Sequence, residues 1–197
     1  MIHKIIAISV LTLSLSGCIA LPALIAHEQK SVVYTTSNSP YNDKTQSRLR
    51  IYYQLANINM YTDTSCQVWK SKKVNNYFNS IATSLPNRET ISIGMLKTES
   101  SISILNTPQK GWGPKNTFKE FVLDANKSIV LDARRVEATT SYSCQVAASF
   151  VPEAGQEYEA WYSESTNSCR VSIHKIDKSK NAEPYQTEVL NKVNSCI

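Results

Sequence analysis

Glycine is scarce: five residues in 197, alongside only three histidines, three methionines and three tryptophans. No Gly-rich loop that could cradle a phosphate is present, and Asn and Asp have to supply many of the turns. There is no Cys-x-x-Cys pair and no Gly-x-Ser-x-Gly elbow. Strong charge of one sign is also missing. The chain has 21 basic and 16 acidic residues, a net +5. That mild excess serves solubility or attraction to an anionic surface better than a nucleic-acid partner, which is not expected.

The amino end is organised. Lys4 supplies a positive start and Ile5 to Leu15 form an almost unbroken apolar run, followed by Leu15-Ser16-Gly17-Cys18. A positive end, an apolar core and small residues before a cleavage point make a signal peptide. An uncleaved transmembrane anchor over 5–26 would be long enough to span. However, Ser14, Ser16, Gly17 and Pro22 interrupt it, and no basic cluster fixes its topology. An apolar residue, two small residues and Cys resemble the lipobox of bacterial lipoproteins. The resemblance implies cleavage before Cys18, with a diacylglyceryl group on its thiol and an acylated amine (palmitate being typical of such modifications). Several chains hold firmly, at about 0.8 kcal/mol per buried methylene. Ile19 is not the Asp that retains enterobacterial lipoproteins in the inner membrane, so the family rule points to a lipid-anchored outer-membrane protein.

Cleavage leaves about 180 residues, enough for one domain with a substantial core. Besides Cys18 there are four cysteines: Cys66, Cys144, Cys169 and Cys196. An even number of thiols in an exported chain reads as two disulfides. Of the three possible pairings, Cys144–Cys169 with Cys66–Cys196 is favoured. Strands one apart in a sheet lie about 9.5 Å from each other, too far for a disulfide. The strands holding Cys144 and Cys169 must therefore be direct neighbours or face each other across two sheets. With only His27 and His174 left after processing, neither a metal site nor another cofactor is expected.

Residues 18–46 read as the lipidated amino end and a polar tether, with a single domain over 47–197. A flexible segment of ~20 residues reaches about 25 Å. Leu49, Ile51, Tyr53 and Leu55 alternate with Arg48, Arg50, Tyr52 and Gln54, the pattern of a half-buried strand. A loop follows from Asn57 to Cys66. Val74, Tyr77, Phe78, Ile81 and Leu85 then predict one short helix over about 72–85, stopped by Pro86. Further strands are expected over 91–96, 101–105, 117–123 and 128–136, the last two joined as a hairpin by residues 124–127. Others are expected over 142–151, 157–163 and 169–176, with a hairpin turn at Pro152-Glu-Ala-Gly155. Phe150 and Tyr158 would pack across that hairpin. Val189 and Val193 suit a short final helix or coil, and Trp69 and Trp161 a strand-like setting.

About seven short strands separated by turn signals predict a mainly β protein, an antiparallel β-sandwich. Residues 117–176 resemble small envelope lipoproteins with immunoglobulin-like or transthyretin-like sandwiches, which implies a fold and no reaction.

Catalysis finds little support. His174 is the sole histidine in the domain, and strand alternation puts Asp177 on the opposite face from it, so no orienting partner is in reach. Alternation also separates Ser172 from Lys175. Glu153, Glu157 and Glu159 crowd one turn, and Asp124 and Asp132 another, yet nothing implies the cleft a glycosidase needs; these acids are expected in solvent. The most suggestive binding feature is the loop over 106–116, where Trp112 stands between Gly111 and Gly113, flanked by Lys110 and Lys115. A loop aromatic with basic neighbours suits a protein partner or a sugar ring; the plainer alternative is that it plugs an end of the sandwich. The expectation is a membrane-anchored binding or scaffolding module, not an enzyme, with an envelope protein or peptidoglycan as partner. Alternatives are a cell-wall hydrolase or enzyme inhibitor, and a structural or protective surface protein.

Overall fold

Alternation of apolar and polar side chains shapes the long strands, and strands dominate the described residues. The computed structural model describes residues 33–35, 41–53, 56–71, 90–106, 116–137, 142–166, 168–180 and 182–197. In chain order the elements are β1 (Val33–Thr35), β2 (Gln46–Tyr53), β3 (Asn57–Tyr61), α1 (Cys66–Ser71), β4 (Thr90–Ser92), α2 (Glu99–Asn106), β5 (Thr117–Asp124), β6 (Ile129–Glu137), β7 (Tyr142–Phe150), β8 (Glu157–Ser165), β9 (Ser168–Ile176), β10 (Thr187–Val189) and β11 (Asn194–Ser195). The large sheet has the order β1-β4-β5-β2-β8-β9-β10, and the small one β11-β7-β6-β3. The small sheet is antiparallel throughout. The large one is mixed, with β1 parallel to β4, β4 to β5 and β2 to β8.

The protein is thus mainly β with two sheets. Among the described residues seven strands have five residues or more, and four others of two or three residues lift the count above the expected seven. The principal core draws on both sheets. Leu49, Ile51 and Tyr53 of β2, Tyr158, Ala160 and Tyr162 of β8, and Val171 and Ile173 of β9 join Ile58 and Met60 of β3, Ile129, Leu131 and Ala133 of β6, and Ala148 and Phe150 of β7.

The turns expected to make hairpins do something different. Residues 124–128 carry the chain from β5 in the large sheet to β6 in the small one, and residues 151–156 carry it back from β7 to β8. Phe150 and Tyr158 do pack edge to face, centroids 5.2 Å apart, but they belong to different sheets. The two turns fasten to each other and to the chain at the start of β2: Asn126 N–H donates to Pro152 O (2.8 Å), Ala125 N–H to Thr45 O (2.9 Å), and Gly155 N–H to Gln46 O (2.8 Å). Asn126 and Asp63 sit at positive φ, taking turn positions where the sequence spends no glycine.

Other expectations are corrected. Residues 101–105 form part of helix α2 rather than a strand, because Thr98 caps it: its Oγ1 accepts from Ser101 N–H (3.3 Å), and Ser101 Oγ accepts from Thr98 N–H (2.9 Å). Ser101 and Ile104, three apart, are its buried face. The loop expected after residue 56 contains β3, whose Ile58 and Met60 alternate with two asparagines, and α1, which carries Trp69. The segments around Val189 and Val193 supply β10 and β11 instead of a helix. The strand expected over 91–96 ends at Ser92, two residues before Gly94 at φ +85°. The helix expected over 72–85 lies outside the described residues. Part of the expected tether is structured: Val33–Thr35 pairs with β4, and the Tyr41 ring lies 4.5 Å from the Arg48 guanidinium.

Both favoured cysteine pairs are bonded. Cys144 on β7 and Cys169 on β9, Cα atoms 6.4 Å apart, face each other across the two sheets. Cys66 at the start of α1 joins Cys196 beside β11, Cα atoms 4.9 Å apart.

Candidate functional site

The odd-numbered residues of β2 face the core, which sends Arg48, Arg50 and Tyr52 to the other face of the large sheet. Polar alternation suggests solvent there. Instead that face is covered: Arg50 is 1% exposed and Tyr52 3%. The register explains what they meet. Parallel pairing sets Arg48 beside Glu157 and Arg50 beside Glu159 on β8, and antiparallel pairing sets Arg50 beside Glu120 on β5. Arg50 Nε and Nη2 donate to Glu120 Oε1 (2.8 and 2.6 Å), and Nη1 donates to Glu159 Oε1 (2.6 Å). Arg48 pairs with Glu157, which Lys178 Nζ also approaches at 3.5 Å. Isolated ions this deep would cost several kcal/mol each, so buried charges occur only in such pairs.

The segment over 92–101 is the cover, and the carboxylates hold it. Glu120 Oε2 accepts from Ser92 Oγ (2.8 Å), Ile93 N–H (2.7 Å) and Met95 N–H (3.2 Å). Glu157 Oε2 accepts from Leu96 N–H (2.9 Å), and Arg50 Nη2 donates to Leu96 O (3.0 Å). Glu159 Oε1 takes the Thr98 hydroxyl (2.7 Å) and the Tyr52 phenol (2.5 Å). Burial first, then the Glu159 charge, pushes the Tyr52 phenol far above its ordinary range. Each carboxylate accepts from several donors, so the cluster acts as a latch that fastens a loop and a helix start onto the sheet.

Beside the latch lies an aromatic strip. Tyr52 meets Phe118 and Trp161 edge-on, at centroid distances of 5.9 and 6.2 Å, and Ile104 of α2 closes over Tyr52 and Phe118. His174, half-buried, has its ring 4.3 Å from that of Trp161 and its Nδ1 3.3 Å from Thr187 Oγ1. Burial lowers the His174 pKa below its ordinary value; Glu159 opposes that and Arg170 adds to it.

The other candidates scatter. Glu153 is exposed and pairs with Lys175 (3.0 Å), while Glu157 and Glu159 are buried in the latch, so the three acids of that turn do not share a solvent-facing site. Asp124 pairs with Lys127 on the surface. Asp132 is 8% exposed, accepts from Gln145 Nε2 (3.1 Å), and has its pKa raised by burial. Asp177 binds Ser179 through its carboxylate. Among the described residues no cluster of three or more His, Cys, Asp or Glu could hold a metal, and no helix is long and apolar enough to cross a membrane. Cys18, Lys110, Trp112 and Lys115 lie outside the described residues.

The latch was missed from sequence, although a signal exists. Arginines at 48 and 50 and glutamates at 157 and 159 share the two-residue spacing of one strand face, with opposite sign on two strands. No protein-family model, no curated protein and no solved structure matches the chain.

Proposed function

We propose that this chain is a lipid-anchored lipoprotein of the bacterial outer membrane whose β domain, a sandwich of the two sheets, serves as a binding or scaffolding module. The observation that carries the reading is Leu15-Ser16-Gly17-Cys18 at the end of an apolar run behind Lys4. Two disulfides suit an oxidising compartment outside the cytoplasm. Binding is favoured over cell-wall hydrolysis because Glu157 and Glu159 are consumed by the latch and Glu153 by Lys175. The partner is an envelope protein or peptidoglycan, with Lys110, Trp112 and Lys115 as one contact.

The anchor is tested by intact-mass analysis of the membrane-extracted protein. It should begin at Cys18 and carry acyl chains, and Cys18→Ser should abolish both. A native chain that begins at Met1 without fatty acid refutes the anchor. Crosslinked envelopes test the module. Wild type should enrich a partner that the Lys110→Ala, Trp112→Ala, Lys115→Ala variant loses; equal enrichment removes the loop from the interface.

A further inference from the structure

We propose that the β4 edge now held by β1 is an acceptor for an extended segment of a partner protein, which displaces Val33–Thr35 and adds in parallel to the large sheet. The proposal deepens the binding-module reading and rests on it. Three observations meet at this edge.

First, the edge accepts a strand: Val33, Tyr34 and Thr35 stand opposite Thr90, Ile91 and Ser92 in parallel register. Among the described residues β1 contributes these three pairs, and so short an edge strand opens at small cost. Second, β4 and the segment after it have holds that do not pass through β1. Ile91 pairs in parallel register with Lys119 of β5. Glu120, whose Oε1 is clamped by the buried Arg50, holds the end of β4 through Ser92 Oγ and the segment just after it through the Ile93 and Met95 amides. Third, the match to β1 is incomplete. Thr90 is fully buried, and its Oγ1 has no hydrogen-bond partner. The residue opposite it is Val33, whose side chain has no polar atom to offer.

The last observation specifies the partner. Strand addition draws affinity from backbone hydrogen bonds and specificity from alternate side chains. A β-branched extended segment with Ser, Thr or Asn opposite Thr90 satisfies a group that the chain's own segment leaves orphaned. The resident strand enjoys a high effective concentration, on the order of millimolar for a short connection. It therefore acts as a threshold that excludes weak competitors and admits a better-matched one.

The test uses the detergent-solubilised full chain and a fluorescent peptide of sequence 31–36, Ser-Val-Val-Tyr-Thr-Thr, with a second peptide carrying Val33→Thr. Three chains are compared: wild type, the Val33→Pro, Tyr34→Pro variant, and the Tyr34→Cys, Ile91→Cys variant with its third disulfide confirmed by mass. Strand amides alternate in direction, so two consecutive prolines remove whichever one faces β4. The peptide should bind the proline variant at least about tenfold more tightly than wild type, and should not bind the crosslinked variant. The Val33→Thr peptide should bind roughly fivefold more tightly than the unsubstituted one, and Thr90→Val in the proline variant should erase that preference. No binding to the proline variant, equal affinity for all three chains, or indifference to Val33→Thr overturns the proposal. So does a wild-type dimer in light scattering that the crosslink abolishes, which would make a second copy the occupant. Peptide capture without any partner enriched from envelopes refutes the module reading and leaves the edge; an enriched partner without peptide capture refutes the edge alone.

Discussion

Arg50 and Glu159 meet at 2.6 Å with neither side chain more than 1% exposed, on parallel strands that the chain reaches 109 residues apart. Removing the cation strands Glu120 and Glu159 in a buried site. Arg50→Met should therefore cost about 3–5 kcal/mol in urea unfolding, a large part of the 5–15 kcal/mol typical of a domain. Amide exchange at Ile93 and Met95, which donate to Glu120, should accelerate. Adding Glu120→Gln and Glu159→Gln should recover part of the loss. A single variant that melts like wild type would mean that the latch is not a fastener.

Gly155 makes a narrower prediction. Its φ is +72°, and a Cβ there would meet Asp43 O at 3.0 Å. Gly155→Ala should cost about 1–2 kcal/mol from the left-handed backbone, with the contact to Asp43 adding to it. Gly94→Ala, at φ +85° with nothing within 4 Å of the added atom, should cost less. Thermal unfolding of the two variants side by side gives the comparison, and equal costs would remove the Asp43 contact from the account.

His174 gives a pH signature. Burial disfavours its charged form, so the unfolded chain, with a pKa of about 6.5, binds a proton more readily than the folded one. Stability then falls as pH drops through about 6.5 toward the folded pKa. The wild type should lose more stability than His174→Gln between pH 7.5 and 5.5. An NMR titration of the His174 ring should give a midpoint below 6.5; a midpoint above it contradicts the burial argument.

The staples add a fourth test. Intact-mass mapping without reductant should find no free thiol among Cys66, Cys144, Cys169 and Cys196. From loop lengths of 25 and 130 residues, chain entropy assigns about 3.5 kcal/mol to the Cys144–Cys169 bond and about 5 kcal/mol to the Cys66–Cys196 bond. The Cys144→Ala, Cys169→Ala variant should accordingly retain more stability than the Cys66→Ala, Cys196→Ala variant. The reverse order would show that packing across the sheets outweighs loop closure.

The long strands were legible because alternation is local: β2, β5 to β9 and their apolar faces can be read from one residue to the next. The partner of each strand could not be read that way. Residues 124–127 and 152–155 carry turn chemistry suited to a hairpin, yet both turns change sheets, since pairing is decided by residues such as Arg50 and Glu159 that lie far apart in the chain. Ser101 to Leu105 alternates like a strand, but the cap at Thr98 and the buried Ser101–Ile104 face make it a helix. The acids near residue 157 looked solvated because their cations stand over a hundred positions earlier.

The two covalent rings differ in when they can close. If the chain is exported amino end first, as proposed above, Cys144 can find Cys169 after 25 further residues have emerged, whereas Cys66 meets Cys196 only after 130. In that order the bond between the sheets becomes available first, and the Cys66–Cys196 bond closes only once the chain has emerged through β11.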